Sequence, residues 1–314
     1  MASPLRPVID ARDDSVADAI EGLRRYAEIL RPQDADEPIL APTVALAVHE
    51  WMVEINNAHD LEAAKVEPRR LALLYGPPGT GKTTLAHHLA CRLGLPLVAV
   101  QSERIIGKYL GETGTNLGHL FDLLRPVERS CVLLLDEFDA LGFKRRVEAD
   151  SSAGQERNQF LTVLLRRIEG FRGVGLAATN TKDGIDSAMW RRFGLQISVD
   201  LPGENERFAI IRKYGLPFDF EDSAIDVLVQ VTRGCSPSLL RQLMEGMKRT
   251  LVLAPRLQLD VSSPVRVFAH VLGSISPPPE MKQPPLWADA TAVEKVEGMA
   301  WPPVRAEPTG KRIN

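Results

Sequence analysis

The residues most capable of chemistry in this chain form one run, Gly76-Pro77-Pro78-Gly79-Thr80-Gly81-Lys82-Thr83, followed by Thr84. Glycines at the first, fourth and sixth places let the backbone turn its N–H groups inward around phosphate oxygens. A lysine at the seventh place can reach the outer phosphates, and the hydroxyl at the eighth can bind Mg²⁺. This is the full Walker A pattern, and its surroundings match it too. An apolar run, Leu71 to Tyr75, precedes it, and a helical pattern, Thr83 to Leu93, begins at once. A helix N-terminus there adds partial positive charge to the cradle. The chemistry indicated is binding of a nucleoside triphosphate with Mg²⁺.

A second signal lies about 55 residues on. Val132-Leu133-Leu134-Leu135-Asp136-Glu137 is an aliphatic run ending in two carboxylates. At the carboxyl end of a buried strand, such groups face the crevice where ligands bind in open α/β sheets. Asp136 suits Mg²⁺ in a nucleotide site. Glu137 is placed to orient and deprotonate a water near the terminal phosphate.

These loops need a sheet and helices to hold them. Leu71–Tyr75, Leu97–Val100, Cys131–Leu135, Val174–Ala178 and Leu195–Val199 are short, nearly all apolar runs. Such runs are expected of a sheet covered on both faces. The helical stretches between them imply parallel strands with right-handed crossovers. The fold class is therefore α/β: a P-loop parallel sheet flanked by helices, followed by a small all-helical lid. The lid helices are expected at Glu204–Lys213, Ser223–Thr232, Pro237–Leu253 and Pro264–Leu272.

The ends of the chain have a different texture. Val16, Ile20, Leu23, Ala27 and Leu30 recur at helical spacing, which predicts a helix over 14–30. Pro42–Ile55 predicts a second, with Val44, Ala47, Val48, Trp51 and Ile55 on one side. Past Ile275 the prolines at 277, 278, 279, 284, 285, 302, 303 and 308 predict an extended tail, with Trp287 and Trp301 in it. The expected organisation is a helical N-terminal region (1–62), the α/β domain (63–203), the helical lid (204–274) and the tail (275–314).

Composition narrows the function classes. The 314 residues carry 38 Lys and Arg against 41 Asp and Glu, a formal charge of -3, with 44% apolar and 25% charged residues. That balance gives no support to a wide surface for nucleic acid or an anionic membrane, which needs clustered cations. No apolar run approaches the ~20 residues of a membrane span. The N-terminus lacks the apolar core of a signal peptide, so a cytoplasmic protein is expected. Cys91, Cys131 and Cys235 are widely spaced, without Cys-x-x-Cys or Cys/His metal spacing, and are expected as small buried side chains. His87 and His88, just past the phosphate loop, are expected to be helix-face residues.

Four blocks in this order and spacing resemble the AAA family, the AAA+ ATPases of the spastin and cell-division-protease kind. They are Leu-Tyr-Gly-Pro-Pro-Gly-Thr-Gly-Lys-Thr-Thr (74–84), Leu-Asp-Glu-Phe-Asp-Ala-Leu (135–141), Ala-Ala-Thr-Asn (177–180) and Ile-Asp-Ser-Ala-Met-Trp-Arg-Arg-Phe (185–193). The resemblance covers roughly residues 66–272. It implies that Asn180 polarises the attacking water or the γ-phosphate, an amide offering donor and acceptor without charge. It implies that Arg191 and Arg192 are arginine fingers reaching a neighbouring subunit's site in a ring, expected to be a homohexamer. Ile-Gly-Lys-Tyr-Leu-Gly-Glu-Thr (106–113) resembles the family's first pore loop, with Lys108, Tyr109 and Leu110 at its tip. Lys144, Arg145 and Arg146 fall where a second pore loop would lie. At the third lid helix the family often has Ser-Gly-Ala-Asp. Here Ser236-Pro237-Ser238-Leu239 stands instead, and Arg241, one turn on, is a candidate nucleotide-sensing arginine.

The function expected from these residues is ATP hydrolysis that drives unfolding or remodelling of a protein client through a central pore. Three other readings stay open. The first is a regulatory ATPase that switches or feeds a separately encoded partner, such as a subtilisin-like protease. The chain has no His-Glu-x-x-His, so any proteolysis would come from another chain. The second is a DNA-remodelling or loader ATPase, disfavoured by the charge balance. The third is a small-molecule P-loop kinase, disfavoured by the Asp-Glu and Arg-Arg pairs.

Overall fold

The computed structural model describes residues 14–107, 111–141, 152–182, 185–279 and 281–305. The backbone forms two compact units. One is built from the chain up to Val199, the other from Asp200 onward, with the short segments Ile39–Ala41 and Pro78–Thr80 grouped with the second.

The first unit begins with α1 (Asp14–Leu23), β1 (Ala27–Leu30), α2 (Pro42–Asn56) and α3 (Ala58–Ala63). It continues with β2 (Leu71–Tyr75), α4 (Lys82–Arg92), β3 (Leu97–Val100), α5 (Ser102–Ile105), α6 (Glu112–Leu124) and β4 (Val132–Leu135). It closes with α7 (Phe138–Leu141), α8 (Ser152–Gly170), β5 (Val174–Thr179), α9 (Ser187–Trp190) and β6 (Leu195–Ser198). The strands make a six-stranded sheet in the order β1-β3-β4-β5-β2-β6, parallel except for β1. Every residue of β3, β4 and β5 is buried, as strands covered on both faces must be. Leu117, Leu120 and Phe121 of α6 and Leu161, Leu164 and Ile168 of α8 pack over Leu133, Leu135 and Ala177.

The helix expected over 14–30 stops at Leu23. The chain turns through Arg24 and Arg25, and Ala27–Leu30 becomes β1, paired antiparallel to β3 from Ala27 opposite Val100 to Leu30 opposite Leu97. The N-terminal region is thus not all helical. Ala27 and Leu30 fit a helical period, but the open edge of β3 offers backbone partners that a helix would leave unmet. α2 forms as expected, and Trp51, fully buried, donates its indole N–H to the Arg69 carbonyl at 2.6 Å.

The second unit holds α10 (Glu204–Gly215), β7 (Phe218–Asp219), α11 (Asp222–Val231), α12 (Pro237–Leu257), α13 (Pro264–Leu272), α14 (Pro285–Ala288), α15 (Ala290–Glu297) and β8 (Val304–Arg305). Ile211, Leu228, Leu240, Leu243, Met244, Met247 and Phe268 form its core. The segment after Ile275, expected to be extended, folds onto this core as far as Arg305. Leu286, Ala292, Val296 and Met299 are buried in it, each large side chain contributing about 1.5–3 kcal/mol. The Trp287 indole donates to the Ile275 carbonyl at 2.8 Å and that of Trp301 to the Val261 carbonyl at 2.7 Å. β8 pairs antiparallel to β7. The prolines break the segment into short pieces, and Pro285 opens a helix where no N–H is needed. They do not prevent those pieces from packing.

Candidate functional site

The strand order brings three loops together at the carboxyl edge of the sheet. β5 lies between β4 and β2, so the loop after β2, the Asp-Glu pair after β4 and Asn180 after β5 are neighbours. The loop after β2 carries positive backbone φ at Gly76 (152°), Gly79 (74°) and Gly81 (90°). At Gly76 a side chain is excluded twice over, by that φ and because a Cβ would stand 2.1 Å from the Val199 carbonyl oxygen. Lys82 opens α4 and is buried. Its ammonium donates to the carbonyls of Gly76 (2.9 Å) and Pro77 (2.8 Å). Burial lowers its pKa, and Asp136 and Asp139 pull the other way.

Thr83 and Thr84 are exposed in the first turn of α4. The Thr83 hydroxyl donates to Asp136 Oδ2 at 2.7 Å, so the two oxygens proposed for Mg²⁺ already touch. A hydroxyl and a carboxylate are the hard oxygen donors that Mg²⁺ takes beside phosphate. The glycine loop and Lys82 supply the anion side. The residues present therefore fit Mg²⁺ and a nucleotide phosphate chain.

Glu137 follows with φ +48°, an uncommon conformation for a residue with a side chain, and its N–H donates to Asp136 Oδ1 at 2.9 Å. Backbone strain of this kind persists where the surrounding structure holds it. Two groups do so here. The buried Ser102 hydroxyl donates to the carbonyl of Asp136 at 2.7 Å and lies 3.3 Å from that of Glu137. Asp139 Oδ1 accepts from the Thr179 hydroxyl (3.1 Å) and from the Asn180 N–H (3.4 Å), tying the end of β5 to the start of α7. Local sequence assigns no role to Ser102, Asp139 or Thr179. The signal for Asp139 was its place two residues beyond the acidic pair, on the next helix.

Arg191 and Arg192 are exposed between two anchors. Asp186 caps α9, accepting from the Ala188 N–H at 2.9 Å, and the buried Phe193 ring meets Phe138 edge-on at 5.4 Å. Arg192 is ion-paired with Glu169 near the end of α8, both side chains about half exposed. Glu169 was also missed, since a carboxylate at a helix end gives no sequence signal of a distant partner.

Lys108, Tyr109 and Leu110, and Lys144, Arg145 and Arg146, fall outside the described residues. Arg241 pairs with Glu245 at 2.8 Å and lies over the Tyr214 ring at 5.4 Å, within the helical unit. His87 and His88 lie on α4, half-buried. His87 Nε2 lies 2.8 Å from the Arg31 carbonyl, and burial lowers the His88 pKa. Cys131 and Cys235 are buried, but Cys91 is only partly so.

Residues 72–201 match the family described as "ATPase family associated with various cellular activities (AAA)". An uncharacterised AAA family ATPase of Sinorhizobium fredii is 30% identical over 240 residues, 73% of this chain and 71% of that protein. The chain belongs to the AAA family of ATPases. This AAA ATPase is an enzyme that hydrolyses ATP. It is also similar to a proteasome-activating nucleotidase of Methanopyrus kandleri, 35% identical over 56% of this chain and 41% of that protein. A third relative is an ATP-dependent zinc metalloprotease FtsH of Lachnoclostridium phytofermentans, 35% identical over 55% and 31%. The AAA ATPase thus spans less than half the length of these two. Among the described residues, no helix is long and apolar enough to cross a membrane.

Proposed function

We propose that this ATPase works as a ring of identical subunits, six in number, that remodels or unfolds a protein client passing through a central pore. The observation that carries the client class is the pair of relatives named for protein turnover, the proteasome-activating nucleotidase and FtsH. The contact of Thr83 with Asp136 supports the chemistry assigned to the site.

Thr83 Oγ1 and Asp136 would hold Mg²⁺, which when bound neutralises charge between the outer phosphates. Lys82 exchanges its two carbonyl partners for phosphate oxygens. Glu137 orients a water and takes its proton as the water oxygen bonds to the γ-phosphorus and the bond from that phosphorus to the ADP oxygen breaks, releasing ADP and phosphate. Asn180 holds that water or the terminal phosphate through its amide. Arg191 and Arg192 act on the neighbouring subunit's site, where positive charge placed at the transition state is worth about 10³–10⁵ in rate in other P-loop systems. Lys108, Tyr109 and Leu110 grip the client, an aromatic ring stacking on an extended chain of any sequence.

The deciding experiment is a trap with Glu137→Gln. This form is expected to bind ATP, stay assembled and retain a protein client that the wild type releases. Full turnover by Glu137→Gln would remove Glu137 as the base. A trap that retains duplex DNA and no protein would replace the protein client by DNA.

A further inference from the structure

The turn that carries Arg191 and Arg192 is held by side chains that the nucleotide chemistry does not use. Trp190 is the last residue of α9, directly before Arg191, and its backbone N–H donates to the Asp186 carbonyl at 2.9 Å. From β6, the Gln196 amide donates to the carbonyls of Trp190 (3.4 Å) and Phe193, bracketing the two arginines. The Trp190 ring is half-buried and lies 5.5 Å from that of Tyr75, at 55° to it. Tyr75 ends β2 and immediately precedes Gly76 of the phosphate loop.

A cation completes this aromatic pair. The Lys182 ammonium stands 5.5 Å from the Tyr75 ring centroid and 5.8 Å from that of Trp190. Both distances lie within the ~6 Å over which a ring face attracts a cation. Lys182 follows Asn180 by two residues, and the end of β5 fixes its approach. The buried Thr179 hydroxyl accepts from the Thr181 N–H at 3.2 Å, and the Thr179 carbonyl accepts from the Gly76 N–H at 3.3 Å. The base of the phosphate loop, the loop beyond Asn180 and the helix that delivers the arginine pair therefore meet at one lysine. A helix of a single turn has little stability of its own. The orientation of α9 depends on what its side chains meet, which is the core for Met189, and Tyr75 and Lys182 for Trp190.

We propose that Lys182 is a positioning residue for Arg191 and Arg192. Its ammonium, drawn to the rings of Tyr75 and Trp190, sets the tilt of α9 and so the direction in which the two arginines project. The inference rests on the reading that these arginines act on a neighbouring subunit's nucleotide. Lys182 acts through Trp190 and not on the phosphates, so its loss should leave ATP binding to Lys82, Thr83 and Asp136 intact. The attraction needs a positive charge and no fixed hydrogen-bond geometry, so a guanidinium can replace the ammonium.

The test uses the full chain and compares Lys182→Met, which keeps the aliphatic stem, with Lys182→Arg, which keeps the charge. Lys182→Met is expected to lower kcat about fivefold, with ATP affinity and thermal unfolding unchanged. Lys182→Arg should retain most of the rate. Trp190→Leu should show a similar loss, and adding Lys182→Met to it should cost little more. Mixing locates the fault. Turnover per Lys182→Met subunit is expected to rise toward the wild-type value as Lys82→Ala subunits are added, because these keep intact arginines to offer a neighbour. A lysine acting on Asn180 in its own subunit would show no such recovery. If Arg191→Ala/Arg192→Ala subunits recover in this mixture and Lys182→Met subunits do not, the inference falls and the arginine assignment stands. If neither recovers, action in trans falls and the inference with it. An unchanged kcat in Lys182→Met, or an equal loss in Lys182→Arg, would also overturn it.

Discussion

The Thr83 hydroxyl and Asp136 carboxylate, 53 residues apart, are joined by a 2.7 Å hydrogen bond. This contact couples the phosphate loop after β2 to the end of β4. Thr83→Ala is expected to weaken ATP binding by about tenfold or more in Mg²⁺ and much less in EDTA. Lys82→Ala should abolish binding in both. Titration of a fluorescent ATP analogue, with and without Mg²⁺, checks the difference. Equal losses in the two conditions would remove Thr83 as a metal ligand.

Arg192 and Glu169 form an ion pair within one chain. With both side chains about half exposed, such a pair is worth at most about 1 kcal/mol. An arginine acting on a neighbour gains far more than that. Glu169→Gln is therefore expected to leave thermal stability nearly unchanged and to move the dependence of ATPase rate on protein concentration toward lower concentrations. Arg191→Ala/Arg192→Ala subunits, inactive alone, should recover turnover when mixed with Lys82→Ala subunits. Concentration-independent activity from a demonstrable monomer would count decisively against action in trans.

Tyr109 lies between Lys108 and Leu110, with glycines at 107 and 111. Tyr109→Ala is expected to preserve the ATPase rate and to abolish ATP-dependent unfolding of a client. A fall in melting temperature with aggregation would make Tyr109 a core residue instead.

Glu54 binds Arg69 through the guanidinium (2.8 Å at Nε) and the backbone N–H (2.6 Å). The Arg69 hydrogen bond holds the Glu54 carboxyl below its usual 4.5. Because the folded pKa is the lower one, this stabilisation is complete above the unfolded value. It is lost as pH falls through the folded value. Glu54→Gln is expected to cost about 1 kcal/mol at neutral pH, a modest figure because Arg69 is nearly half exposed. That cost should shrink below pH 4.5. Denaturant melts at pH 7 and pH 4 measure it, and a constant difference would discount the pairing.

Cys131 and Cys235 are buried, and burial pushes both thiols up to about 12. Neither presents a thiolate near neutral pH. A maleimide should label Cys91 in the folded protein and the other two only after denaturation, as peptide mapping would show. Labelling of Cys235 at the rate of Cys91 would mean that the helical unit opens readily.

The phosphate loop, the Asp-Glu pair and the five parallel strands were legible in the sequence because each is local. A glycine-rich turn, an aliphatic run and a helical period are written in consecutive residues, and the backbone has few ways to obey them. The roles expected of Asn180, Arg191 and Arg192 rest on family resemblance, since one strand-end amide or exposed arginine pair looks much like another. The tertiary structure supplied what depends on residues far apart in the chain. Ala27–Leu30 became a strand because β3 had an open edge beside it. Ser102, Asp139 and Thr179 became supports of the site because β5 inserts between β2 and β4, and no local pattern encodes strand order. The proline-rich segment folded because Leu286, Val296 and Met299 found a core built by other helices. Proline content reports how a backbone is interrupted, and burial depends on what the interrupted pieces meet.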